Sequence, residues 1–101
     1  MDDSSFQLIL HSGNSRSSSM EALECARNGK FEEAEKKLEE AEKELGEAHD
    51  AQTKLLVEEA QGVEMKPNIL LVHAQDHFTA AMVNLDLSRE IIHLYRMLLN
   101  K

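Results

Sequence analysis

Tryptophan is absent from this 101-residue chain, aromatic residues make up only 4% of it, and it has one proline, four glycines and one cysteine. Each scarcity narrows what the protein can be. The length suits one small domain, 1–101, and so few large side chains would give a single monomer a thin core. Very regular helices, or apolar surface supplied by partner chains, would make up the difference, and the second is expected. The lone Cys25 excludes an internal disulfide and any Cys-x-x-Cys metal or redox site. It reads as a small apolar core residue in a reducing compartment. No stretch approaches the ~18 apolar residues of a membrane span, and the first residues lack a charged-then-apolar signal pattern, so the cytoplasm is expected. Basic residues are few, 11 against 19 acidic for a formal net charge of -8. Nucleic acid and direct insertion into an anionic membrane are both disfavoured as partners. Neither a glycine-rich phosphate loop nor a nucleophile elbow occurs.

Because glycine and proline are scarce, their positions carry information. Asn28-Gly29 and Gln61-Gly62 are stop signals, since both residue types tolerate the left-handed conformation that ends helices. Pro67 suits the first turn of a helix, where its missing N–H costs nothing. The chain therefore divides into three helical segments, about 4–28, 31–60 and 67–100. That predicts an all-α, antiparallel three-helix hairpin.

In the first segment Ser4 and Gln7 can form a capping box. Phe6, Ile9, Leu10, Met20 and Leu23 recur at helical spacing, and the small-residue stretch 12–19 suits a packing seam or the wall of a site. The second segment is the most regular. Phe31, Ala34, Leu38, Ala41, Leu45, Ala48, Gln52 and Leu55 alternate by threes and fours. Glu32, Glu33 and Glu39 each precede a lysine (Lys36, Lys37, Lys43) by four residues, an orientation that supports an isolated helix by a few tenths of a kcal/mol per pair. These glutamates read as a solvated face.

The third segment is apolar around more than half its circumference: Ile69, Leu70, Leu71, Val72, Ala80, Ala81, Val83, Leu87, Ile91, Ile92, Leu94, Leu98 and Leu99. Such a helix must be covered from two sides, and a hairpin covers one. Association of the chain with copies of itself follows.

On this helix His73, Asp76 and His77 share a face. At about 100° per residue, Asp76 lies some 60° to one side of His73 and His77 some 40° to the other. Burying such groups unpaired costs several kcal/mol, so the cluster calls for a partner. An orienting pair, a proton relay and a metal site all remain open. A zinc site lacks a third ligand on the same helix, and Ala74 stands where a His-Glu-x-x-His protease would have its glutamate.

Three stretches carry a family resemblance: Ser12-Gly13-Asn14-Ser15-Arg16-Ser17, Glu47-Ala48-His49-Asp50-Ala51-Gln52-Thr53 and Leu71-Val72-His73-Ala74-Gln75-Asp76-His77. With the hinge Asn28-Gly29-Lys30-Phe31, they make the sequence resemble the IIA component of the lactose/cellobiose/diacetylchitobiose class of the bacterial phosphoenolpyruvate-dependent sugar phosphotransferase system. The resemblance runs from about Phe6 to Tyr95. Ser15, where the family usually has alanine, and Phe78-Thr79, where Leu-Met is common, depart from the pattern. The resemblance implies three-helix hairpins that form a homotrimeric nine-helix bundle. It implies that His73 is the catalytic residue, taking a phosphoryl group from phosphorylated HPr and passing it to a cysteine of the sugar-specific EIIB component. It also implies that Asp76 lies on the trimer axis, where three copies hold a metal ion.

Imidazole suits this task because its neutral nitrogen is nucleophilic and its phosphoramidate is labile. Phosphoryl transfer itself relies mainly on positioning and on stabilising the phosphoryl oxygens. His77 is the candidate hydrogen-bond donor to those oxygens, with Gln75 a weaker one, pointing about 160° away from His77. Hard oxygen ligands favour Mg²⁺ or a similar structural cation at Asp76. His49 and Gln52 are expected to pack or bond between helices. His11 and His93, with no partner expected at helical spacing, are expected on the surface or in a seam, and Arg16 in a salt bridge, against a phosphoryl group or against a partner's acidic rim. The competing readings are a non-enzymatic helical interaction module and a metal-binding helical bundle. The stretch 26–34 does resemble the turn of a tetratricopeptide-like unit, but no second copy follows at a period of about 34 residues.

Overall fold

The structure, a computed structural model, describes residues 3–62 and 69–100. Three helices fill it: α1 (Asp3–Arg27), α2 (Phe31–Ala60) and α3 (Ile69–Leu99). Pro67, expected in the first turn of the third helix, lies outside the described residues. Ser4 is already inside α1, not at its cap.

Both predicted stops are found. At the end of α1, Gly29 has φ +77°, the Lys30 N–H reaches back to the Cys25 carbonyl (2.9 Å) and the Gly29 N–H to that of Ala26 (3.0 Å). These two bonds form a Schellman motif. Gly62, at φ +84°, ends α2 by bonding the Glu59 carbonyl at 3.0 Å.

The direction of each helix follows from its cross-helix partners. His11, Ser15 and Glu21 of α1 meet Glu44, Ala41 and Lys37 of α2, so numbers rise on one helix as they fall on the other. Arg89 and Arg96 of α3 meet Glu42 and Glu35 of α2 in the same reversed sense. Hence α1 and α3 run parallel, with α2 antiparallel to both. The rod measures 57 × 20 × 18 Å.

Ala34, Leu38, Ala41, Ala48 and Leu55 of α2 are buried, as the heptad spacing predicts. In α1 the inward face is not the one suggested by its large apolar residues. Leu8, Ser12, Ser15, Ser19, Ala22 and Ala26 are buried, whereas Phe6, Leu10 and Met20 are about half exposed. The reason is geometric. Helix α1 packs on both other helices along its length, and serine and alanine permit close approach of helix axes. Ser12, Ser15 and Ser19 of the small-residue stretch are thus the packing seam, while Asn14, Arg16 and Ser17 between them face outward.

On α3 the buried residues are Ala74, Phe78, Ala81, Leu85, Ser88 and Ile92. The opposite side carries a second, exposed stripe: Ile69, Val72, Asp76, Ala80, Val83, Leu87, Ile91, Leu94 and Leu98. Its spacing follows 3.6 residues per turn, and Asp76 is its one polar member.

The predicted pairing of glutamate with lysine four residues on is not formed among the described residues, and Lys37 is tied to another helix instead. Lys37 bonds Glu21 of α1 at 2.8 Å and Glu40 at 3.4 Å, not Glu33. Its hydrogen bond to Glu21, then the nearby carboxylate charges, hold its ammonium above the usual lysine range. Arg96 bonds Glu35 at 2.8 Å while lying 4.8 Å from the centre of the Phe31 ring. Cys25 is a free, half-buried thiol packed against the core, as a small apolar residue would be.

Candidate functional site

The run from His73 to His77 sits early in α3, and each turn of the helix sends its residues to different surroundings. Ala74 is fully buried and holds the segment against the core that includes Leu8 and Leu55. Gln75 points to α2, where it accepts a hydrogen bond from the Gln52 amide at 2.9 Å. Phe78, buried below, stacks on His49 of α2 with ring centres 6.2 Å apart. The expected packing or interhelical roles of His49 and Gln52 are therefore what the structure contains. Gln75 is engaged here, on the side of α3 turned away from the histidines.

His73 is exposed and His77 half-buried. Their Nε2 atoms lie 3.0 Å apart, with the rings edge-to-face at 4.4 Å between centres. A hydrogen bond between two Nε2 atoms needs one to carry a proton and the other to present its lone pair. The pair thus brings a donor and a nucleophilic nitrogen together at the surface of α3.

Asp76 does not join the pair. It is exposed among the apolar residues of the outer stripe, and the described residues of one chain contain no group of three His, Cys, Asp or Glu side chains able to hold a metal. The three residues read together from spacing therefore separate into a histidine pair and a lone carboxylate.

Residues 3–96 match the model of the family described as the lactose/cellobiose-specific IIA subunit of the PTS system. The chain belongs to this family. It is 49% identical over 95 residues to the lichenan-specific phosphotransferase enzyme IIA component of Bacillus subtilis, covering 94% of this chain and 86% of that one. A lactose-specific EIIA component of Streptococcus mutans is 36% identical over 91 residues, 90% and 88% of the two chains. Among solved structures, the cellobiose-specific enzyme IIA of Bacillus anthracis superposes with a TM-score of 0.95 at 44% identity, over 98% of this chain and 91% of that one. The IIA(chitobiose)–HPr complex of Escherichia coli gives 0.82 at 36% identity, over 95% and 93%.

His11 and His93 of this IIA chain lie in a seam and on the surface, as expected, but His11 does have a partner at helical spacing. His11 has partners on both ring nitrogens: Nδ1 contacts the Glu44 carboxylate of α2, and Nε2 meets the Gln7 side-chain oxygen at 3.0 Å. Gln7 stands four residues earlier, a helical spacing that the sequence already held; Glu44 left no local signal. Arg16 is exposed and forms no ion pair among the described residues. His93 is exposed beside Arg89 and Arg96. Among the described residues no helix is long and apolar enough to cross a membrane.

Proposed function

We propose that this IIA chain is a cytoplasmic phosphocarrier in which His73 accepts a phosphoryl group from phospho-HPr and passes it to a cysteine of an EIIB of the lactose/cellobiose class. The reading rests on one observation above all, the exposed His73 imidazole with its Nε2 held 3.0 Å from that of His77. Support for the donor comes from the IIA(chitobiose)–HPr complex among its structural neighbours.

In the resting pair the His77 Nε2–H donates to the His73 Nε2 lone pair. When a donor's phosphorus approaches, that lone pair attacks in line, the bond from phosphorus to the donor breaks, and its electron pair leaves with the donor. His77 then turns its N–H from the nitrogen it held to a phosphoryl oxygen at nearly the same place. A half-buried donor changes partner without moving far, so little reorganisation opposes the step. Transfer onward to a thiolate reverses the sequence: the P–N bond breaks, its electron pair returns to His73 Nε2 as the lone pair, and the His77 N–H turns back to donate to it.

The exposed stripe of α3 supports assembly. Seven large aliphatic residues in line, from Ile69 to Leu98, exceed what a free surface helix carries. Three copies about a common axis would bury them and bring three Asp76 carboxylates together. Such carboxylates repel unless protonated or bridged, and hard oxygen donors suit Mg²⁺ or a similar cation. When bound, that ion neutralises the carboxylates and takes no part in transfer.

Incubation with phosphoenolpyruvate, enzyme I and HPr tests the proposal. Acid-labile, base-stable label on the wild type, absent from His73→Ala, is the expected result. A correctly folded wild type that takes no label would leave a binding module. Asp76→Leu is expected to keep the trimer by sedimentation and to lose sensitivity to chelators, since packed hydrocarbon replaces buried charge. A monomeric Asp76→Leu would refute the axial role.

A further inference from the structure

The four arginines of the chain all lie on α1 and α3. Arg89 and Arg96 are tied to glutamates of α2, and Arg27 is in the last turn of α1, at the far end of the rod from the histidines. Arg16 remains, exposed and without an ion pair among the described residues.

Its position relative to the histidine pair follows from the contact of Met20 with Asn84 (amide nitrogen to sulfur, 3.7 Å), which sets the register of the parallel helices α1 and α3. Arg16 is one turn before Met20, and Ala80 one turn before Asn84, so the two share a level. His77 is then displaced along the axis by only ~4.5 Å and His73 by ~10 Å. Both displacements are toward the helix N-termini, the direction in which helical side chains lean. The faces also agree. Met20, Leu23 and Arg27 of α1 and Ile91 and Tyr95 of α3 line an open groove of about 440 Å³. At 100° per residue, Arg16 falls between Leu23 and Arg27 on α1. By the same measure His73 shares the angular position of Ile91, and His77 that of Tyr95. Arg16 and the histidine pair thus lie on the same α1–α3 face as that groove, on the side away from α2 and nearer the N-terminal ends of both helices.

We infer that Arg16 is a phosphoryl-binding residue of this site, its guanidinium reaching along the shared α1–α3 face to the equatorial oxygens of the group on His73. This deepens the phosphocarrier reading and rests on it. A planar guanidinium offers paired donors that match phosphoryl oxygens. It also supplies positive charge in a chain whose net charge of -8 otherwise opposes a dianion.

The test compares wild type, Arg16→Gln and Arg16→Lys, each assayed for label uptake from phospho-HPr, for sedimentation mass, and for the titration of the phosphohistidine ³¹P resonance. Arg16→Gln is expected to slow uptake about 10–100-fold at unchanged mass. It should also raise the phosphoryl pKa by about half a unit or more, because a nearby cation favours the dianion. Arg16→Lys is expected to keep the wild-type phosphoryl pKa and recover part of the rate, as charge is retained and the fork is lost. An unchanged rate and phosphoryl pKa in Arg16→Gln would overturn the inference while leaving His73 as carrier. Slower uptake accompanied by a changed mass and an unchanged phosphoryl pKa would overturn it in favour of an arginine that joins subunits. A wild type that takes no label would refute both readings.

Discussion

Ser15 and Ser19 are one turn apart on the buried face of α1, both fully buried, yet substitution by alanine should move stability in opposite directions. Ser15 Oγ donates to the Ala41 carbonyl of α2 at 2.7 Å. Ser19 Oγ has no partner among the described residues, and Ser12 Oγ on the same face has none there either. A buried hydroxyl without a hydrogen bond is destabilising by about 1–3 kcal/mol. Removing it leaves a void of one atom, roughly 20 Å³, which at ~24 cal/mol per Å³ costs about 0.5 kcal/mol. The better helix propensity of alanine returns about 0.5 kcal/mol. Ser19→Ala should therefore stabilise by about 1–3 kcal/mol. Ser15→Ala gains the same propensity but loses a net hydrogen bond of ~1 kcal/mol and leaves the same small void, so it should destabilise by about 1 kcal/mol. For a domain of this size each kcal/mol corresponds to about 4–8 °C in Tm. Thermal unfolding followed by circular dichroism, at one fixed protomer concentration so that the proposed association would weigh equally on every variant, should rank Ser19→Ala above wild type and Ser15→Ala below it. If both variants fell below wild type by similar amounts, the unpaired Ser19 hydroxyl would not be a strain on the fold, and the reasoning would fail.

Other perturbations follow from single contacts. Gly29→Ala should destabilise by ~1–2 kcal/mol in urea unfolding, because a side chain is forced into the left-handed region at φ +77°. Gln52→Leu strands the Gln75 side-chain oxygen in a half-buried seam and should cost about 1 kcal/mol, with little effect on the rate of phosphoryl uptake. His77→Phe keeps an aromatic ring beside His73 but removes the donor, and should slow uptake about 10–100-fold at unchanged thermal stability. As for pH, the Lys37 pair with Glu21 holds the ammonium above the usual lysine range. Its stabilisation is fully present below the unfolded lysine pKa and is lost as pH rises through the folded one. A difference in Tm between Lys37→Met and wild type should therefore vanish only in strongly alkaline buffer.

The features read correctly from the chain alone are those set by local chemistry. Gly29 and Gly62 end helices because only a residue without Cβ enters the left-handed region freely, wherever the helix packs. The inner face of α2 was legible because its apolar residues recur at threes and fours. The run from His73 to His77 was visible as a polar cluster on an apolar helix, and the excess apolar surface of α3 was visible as a count.

Tertiary structure decided the rest. That α1 turns serines inward and leaves Phe6, Leu10 and Met20 half exposed depends on the spacing between three helix axes, which hydrophobicity along one helix does not encode. The tie of Arg96 to Glu35 spans 61 positions and that of His11 to Glu44 spans 33, so the local rule that pairs glutamate with lysine four residues on had no access to them. The same holds within the functional cluster. Periodicity placed His73, Asp76 and His77 on one face, but rotamers and neighbours split them. Two imidazoles meet at 3.0 Å, and the carboxylate is left on a stripe that one chain cannot cover. Sequence determines which chemical groups a helix face carries; packing against the other helices determines which of them meet.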